Sequence, residues 1–264
     1  IAHANGIPLI VDATFTTPFT CCAASNTGRD LVVNSLTKWL GGHGTTIGGI
    51  ITDAPPFNWA SAENTPSSPA PDSKDHGLRW AIDLPEPLDA HRLRAARAYG
   101  PRCATWAPPS RPTIPGSSSF GLKTLPLRIG ASRRELLNGR RVPRKHPFSL
   151  LGTRYPGLKN DPAHAVASKY LKKGFGGTGG LRHQRRLRLR PVYAHRLHSA
   201  VLAPLPMWAT PRASSCSPAS TSHSQLSSEQ QLSGGLTPDL VRLSIGIEHI
   251  DDIIEALEAG LAAA

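Results

Sequence analysis

The sequence has little of several things that usually announce a function. Aromatic residues are 6% of the 264, and the single methionine is Met207. Hydrophobic residues make up only 39%, while glycine (24) and proline (25) are plentiful. That balance predicts a packed core over part of the chain only. No apolar run approaches the ~20 residues needed to cross a membrane. The first residues lack the basic-then-apolar pattern of a secretory signal. The chain begins at Ile1, so it is expected to be a fragment or processed product. Its four cysteines, Cys21, Cys22, Cys103 and Cys216, show no C-x-x-C spacing. This argues against a disulfide framework and against a metal site, and for a reducing, cytoplasmic setting. A P-loop is excluded, because no G-x-x-x-x-G-K-[ST] is present.

Positive charge is abundant but uneven. Of the 30 Lys and Arg, 26 fall within residues 79–212, with only 5 of the 18 acidic residues. The middle is therefore strongly basic and the two ends are acidic, and the net charge of +12 describes neither. The run Arg182-His-Gln-Arg-Arg-Leu-Arg-Leu-Arg190 could neutralise nucleic-acid phosphates. No RNA-binding fold signature accompanies it, and nucleic acid is not the expected partner.

Hydrophobic patterning divides the chain into three zones. In the first, Pro8-Leu-Ile-Val-Asp12, Leu31-Val-Val-Asn34 and Thr46-Ile-Gly-Gly-Ile-Ile51 suit strands buried on both faces of a parallel or mixed sheet. Such sheets place chemistry at the carboxyl ends of their strands. The second zone has little periodicity, and residues 106–119 read as loop or disorder. Within it, Asp161 as N-cap and Pro162 in the first turn predict a helix. In the third, Val241-Arg-Leu-Ser-Ile245 alternates like a strand. Ile250, Ile253, Ile254, Leu257 and Leu261 then recur at helical spacing.

Chemistry-bearing residues concentrate in Val11-Asp-Ala-Thr-Phe15 and Asn34-Ser-Leu-Thr-Lys-Trp-Leu-Gly-Gly-His-Gly44. Taken singly they say little. A lone lysine is usually solvated, an aspartate after a strand usually caps or turns, and Ser-x-Thr alone carries no meaning. Their order is the informative part.

That ordered set resembles the Cys/Met-metabolism enzymes that use pyridoxal 5'-phosphate (PLP). Residues 1–15 resemble the family's approach to its cofactor aspartate, and residues 35–44 its S-x-T-K lysine motif with a glycine tail. Residues 45–77, with Phe57-Asn-Trp59 and Asp75-His-Gly77, resemble an insertion of the O-acetylhomoserine sulfhydrylases. Gly121-Leu-Lys-Thr-Leu-Pro-Leu-Arg128, Tyr155-Pro-Gly157, Pro218-Ala-Ser-Thr-Ser-His-Ser-Gln-Leu226 and Pro238-Asp-Leu-Val-Arg-Leu-Ser-Ile-Gly-Ile-Glu248 fit the same family.

The resemblance implies an α/β, aspartate-aminotransferase-like fold lacking its N-terminal part, with a smaller α+β C-terminal domain and a poorly ordered basic middle. Residues 1–122 would be the C-terminal part of the large PLP-binding domain and residues 123–264 the small domain. Lys38 would hold PLP and act as the catalytic base and acid. Asp12 would face the pyridine nitrogen, Thr14 the ring, and Ser35 and Thr37 the phosphate. Arg242 would bind the substrate carboxylate. The implied reaction is γ-replacement on O-acetylhomoserine by sulfide or a thiol, in a homo-oligomer, a tetramer in the family, acting on a small amino-acid substrate. A cystathionine γ-synthase or γ-lyase, or a non-catalytic remnant, are the other readings. Residues 81–120, 130–153 and 178–217 depart from the family's apolar helices. Rich in Arg, Pro and Ser, they read as segments translated out of frame.

Overall fold

A computed structural model describes residues 1–20, 28–53, 57, 71, 76, 77, 79, 113–138, 150–183 and 213–262. The N-terminal 3-10 turn His3–Asn5 is tied down by buried Asp30. One carboxylate oxygen of Asp30 accepts the Leu9 N–H at 2.6 Å and lies 2.7 Å from His3 Nε2.

The first sheet has three strands in the order β1-β2-β3. β1 (Ile10–Asp12) runs parallel to β2 (Leu31–Ser35), with Asp12 opposite Val33. β3 (Gly49–Asp53) is antiparallel to β2, with Gly49 opposite Ser35. A single turn of helix, α1 (Thr17–Thr20), follows β1. The sheet is mixed, as expected, and the third strand lies slightly later than its hydrophobic run suggested. Burial on both faces is a feature of β2 only. Leu31, Val32 and Asn34 are buried, whereas Ile10, Ile50 and Ile51 are exposed. The reason is position. β2 is central, and β1 and β3 form the two edges of this sheet among the described residues.

α2 (Thr113–Asn138) is the longest element among the described residues. Residues 106–119 read as loop from sequence, yet from Thr113 onward they are helical. Pro115 lies in the first turn, where a missing N–H has no intrahelical partner to lose. Pro126 lies inside the helix, where it denies a hydrogen bond to the preceding turn. Tertiary contact compensates, because Ser118, Leu125, Ile129, Ser132 and Leu136 recur at helical spacing and are all buried. The earlier part of this stripe packs on Trp39, and Leu136 enters the second core.

The second sheet is antiparallel throughout, in the order β4-β5-β7-β6. Its strands are β4 (Leu150–Arg154), β5 (Thr178–His183), β6 (Ser214–Cys216) and β7 (Leu240–Ser244). Three helices accompany it: α3 (His164–Tyr170), α4 (Ser228–Ser233) and α5 (Ile250–Ala262). Ile253 and Leu257 of α5 join Tyr155, Leu158, Val241, Leu243 and Ile245 in one core. The final strand and helix stand where periodicity put them, with Asp251 and Asp252 at the favoured end of the helix dipole. α3 starts later than expected. Ala163 is its N-cap, while Asp161 accepts N–H bonds from Ala163 and Tyr155, both at 2.9 Å. Asp161 thus closes the turn before the helix instead of capping it.

Several pieces of the stretches that depart from the family pattern are regular structure. Residues 130–138 belong to α2, and β5 and β6 both pair with β7. Residues 113–120 also belong to α2 and residues 150–153 to β4, whereas residues 81–112, 139–149 and 184–212, with most of the basic run at 182–190, lie outside the described residues. Among the described residues, no helix is long and apolar enough to cross a membrane.

Candidate active site

Because β1 and β2 are parallel, their carboxyl ends stop side by side, at Asp12 and Ser35. Thr14 joins these ends through one local and one cross-strand hydrogen bond. Asp12 Oδ1 accepts the Thr14 N–H at 2.9 Å, and Thr14 Oγ1 accepts the Ser35 N–H at 3.0 Å. The Ala13 N–H, donating to Val33 O at 2.8 Å, extends the pairing past the strand end. Just beyond, Thr17 takes a left-handed φ of 57°, rare for a β-branched residue. Its N–H donates to Ala13 O and its hydroxyl accepts the Phe19 N–H.

After Ser35 the chain enters a π-helical turn, Leu36–Leu40. Such wide turns recur at functional sites. Lys38 lies in the middle of it with non-helical dihedrals (φ −93°, ψ −131°). The turn is closed by Gly41 N–H to Leu36 O at 2.9 Å and Gly42 N–H to Lys38 O at 2.7 Å. Thr37 fastens its near side to the loop before β3. Its hydroxyl accepts the Gly48 N–H at 2.9 Å and donates to Gly48 O at 3.3 Å. Burial lowers the Lys38 pKa below the ordinary lysine range, since desolvation disfavours the ammonium form. A cleft of about 250 Å³ adjoins the turn, lined by Leu36, Thr37, His43, Ser117 and Phe120 among others.

α2 covers the turn at backbone distance. A Cβ at Gly121 would collide with the carbonyls of Leu40 and Gly41, and one at Gly42 would collide with the Arg128 guanidinium. Arg128 Nη2 donates to Trp39 O and Gly121 O, each at 2.8 Å. The second sheet reaches the same region through Arg242 on β7, whose guanidinium lies 5.7 Å from the Phe15 ring centroid. That distance is within cation–π range. Burial lowers the Arg242 pKa, opposed by neighbouring Cys216, its cross-strand partner. Behind Phe15, the Tyr155 hydroxyl donates to Gly176 O at 2.8 Å, and an added Cβ at Gly176 would touch Phe15 O.

The structure thus gathers Asp12, Thr14, Ser35, Thr37 and Lys38 at one end of the first sheet. Arg242 approaches from the second sheet by way of Phe15. The set fits PLP chemically. A desolvated amine can bond an aldehyde, a carboxylate at a neighbouring strand end can keep a pyridine nitrogen protonated, and Thr14, Ser35 and Thr37 bring hydroxyls to the same end of the sheet. Sequence reasoning gave no role to Arg128, Gly121 or Phe15, although each lies in a quoted motif. The available signal for Arg128 was its place on the same helical stripe as Leu125 and Ile129, an odd position for a charge.

The profile of the family described as Cys/Met metabolism PLP-dependent enzyme matches residues 1–262. The O-acetyl-L-homoserine sulfhydrylase of Leptospira meyeri is 36% identical over 267 residues, covering 99% of this chain and 59% of that protein. The homocysteine synthase of Schizosaccharomyces pombe is 35% identical, covering 96% and 58%. Among solved structures, an O-acetylhomoserine (thiol)-lyase from Campylobacter jejuni superposes with a TM-score of 0.83 at 27% identity, over 99% of this chain and 60% of that one. That crystal structure contains N'-pyridoxyl-lysine-5'-monophosphate. A cystathionine gamma synthase from Xanthomonas oryzae pv. oryzae, at 23% identity and a TM-score of 0.72, shares the fold. The chain therefore spans a little under 60% of the length of these curated relatives.

Proposed function

The chain belongs to the Cys/Met-metabolism PLP-dependent enzymes, and from that membership we propose that it is the lysine-bearing part of an O-acetylhomoserine sulfhydrylase. Its fold is the α/β, aspartate-aminotransferase-like fold of that family, and the family's cofactor is PLP. The proposed reaction replaces the acetate on Cγ of O-acetylhomoserine with sulfide or a thiol, giving homocysteine or methionine. The observation that carries it is the juncture of Asp12, Thr14 and Ser35 beside the Lys38 turn, with Arg242 brought up over Phe15.

When bound, PLP supplies an electron sink next to the substrate's amino-bearing carbon. Lys38 would hold the cofactor through its amine, which burial keeps more readily neutral and hence nucleophilic. Released, the same Nζ would take a proton from one substrate carbon and return it to another. Asp12 would keep the pyridine nitrogen protonated, its carboxylate oriented by the Thr14 N–H. Thr14 would lie against the ring, while Ser35 and Thr37 would meet the phosphate. Arg242 would take the substrate carboxylate, a role suited to a planar fork of donors. Residues 1–122 would supply the cofactor side and residues 123–264 the substrate side, in a homo-oligomer.

A second reading is a chain that retains these residues without turnover. It is favoured by the exposed Ile10, Ile50 and Ile51 of the first sheet. Visible absorbance of the purified chain with added PLP, before and after borohydride and beside Lys38→Ala, decides between them. A band that needs Lys38 and is abolished by borohydride is expected. Its absence, or an equal band in Lys38→Ala, would leave the second reading. Turnover of O-acetylhomoserine plus sulfide against cystathionine then separates a sulfhydrylase from a cystathionine γ-synthase or γ-lyase.

A further inference from the structure

An arginine on the apolar face of a helix is costly to bury, because its charge leaves water. Arg128 is only 8% exposed. Among the described residues no carboxylate pairs with it, and burial lowers its pKa. All of its recorded bonds go to neutral oxygens. Nε donates to Thr124 Oγ1 at 3.0 Å, and Nη2 to the carbonyls of Gly121 and Trp39, both at 2.8 Å. Thr124 and Gly121 belong to its own helix. Trp39 is the residue after Lys38, and the bond to it spans 89 positions of sequence.

The location of that long-range bond is informative. Lys38 departs from helical dihedrals, so the turn is not a continuous ladder at that point. Gly42, the residue after the turn's cap at Gly41, has no Cβ, and the guanidinium occupies the space a Cβ would need. A methionine would fill much of the same volume on α2 without burying a charge. What it could not do is hold two carbonyls of different segments on one rigid planar group.

We propose that Arg128 is a positioning residue for Lys38, its guanidinium fixing the Trp39 carbonyl against α2 and thereby setting how the Lys38 amine is presented and shielded. This rests on the reading of Lys38 as the reactive amine, yet its test needs no cofactor.

The experiment is the pH profile of Lys38 acetylation by limiting acetic anhydride in the full chain, read by mass spectrometry of the Lys38 peptide. Wild type is compared with Arg128→Met, Arg128→Lys and Ser132→Ala. Ser132→Ala removes a different buried α2 bond, from Ser132 Oγ to Gly246 O, and serves as the control for general loosening. Expected is a higher labelling midpoint for Lys38 in both Arg128 variants, because the amine becomes better solvated, and an unchanged midpoint in Ser132→Ala. Arg128→Lys retains a charge without the fork and is the milder change. If Arg128→Met does not fold, Arg128→Lys alone carries the test. A wild-type profile in Arg128→Lys overturns the proposal, as does an equal shift in Ser132→Ala. A failed PLP band with a shifted labelling profile would sink the functional reading and leave the role of Arg128 standing.

Discussion

Burial acts on Lys38 and Tyr155 in opposite senses, because one is charged when protonated and the other when not. It lowers the Lys38 pKa and pushes the Tyr155 phenol up to about 12, against the opposing pull of Arg133. For Tyr155 the consequence can be read as stability. A raised folded-state pKa contributes stability below the ordinary tyrosine value of 10, and that contribution is lost as pH climbs from there toward about 12. Tyr155→Phe also strips the buried Gly176 carbonyl of its donor, a loss of about 1 kcal/mol. Urea melts should show wild type ahead of Tyr155→Phe by that margin at neutral pH, with the lead shrinking as pH passes 10. At this scale the sequence was most legible where residues come in an ordered motif. Asp12, Thr14 and Ser35 lie together because parallel strand ends bring short motifs side by side, and the turn that holds Lys38 follows directly. Arg128 was not legible, since an arginine's default place is solvent and its partner at Trp39 is far away in sequence.

Among the elements, α2 shows where pattern reading fails and why. Proline and serine near its start point to a loop, and propensity alone would end the helix at Pro126. Contact with the lysine turn and with the second core overrides both. The position expected to divide the domains, residue 122, lies within this helix, and the helix touches both the lysine turn and the second core. β7 and α5 were legible, because a clean alternation and a clean helical stripe each admit a single reading. The glycines of α2 give a test of the packing. At Gly116 and Gly130 an added Cβ meets nothing, whereas at Gly121 it collides with backbone. Gly130→Ala is expected to stabilise by about 0.5–1 kcal/mol through helix propensity. Gly121→Ala is expected to destabilise by about 1–3 kcal/mol through overpacking. Thermal melts of the two variants, the first rising and the second falling, would check the docking of α2.

For the whole molecule, the salient fact is a sheet with apolar residues facing outward. Ile10, Ile50 and Ile51 are exposed on a three-stranded sheet, and exposed apolar patches and strand edges promote association. Expressed by itself, the 264-residue chain is expected to self-associate in a concentration-dependent way. Ile50→Lys, on edge strand β3, should lower the associated fraction in sedimentation velocity. An unchanged distribution would mean that the sheet is not the contact. Composition had already limited the core to part of the chain, but it could not say which sheet would be left uncovered. That follows from which strands find neighbours.

The close approach at Gly121 has one more consequence, in the terms of inheritance. Every other amino acid brings a Cβ, so no missense change at that codon is a small one. Codons 116 and 130, on the same helix, face open space and are free to drift. In any line of descent that keeps using Lys38, glycine should outlast its two neighbours at position 121.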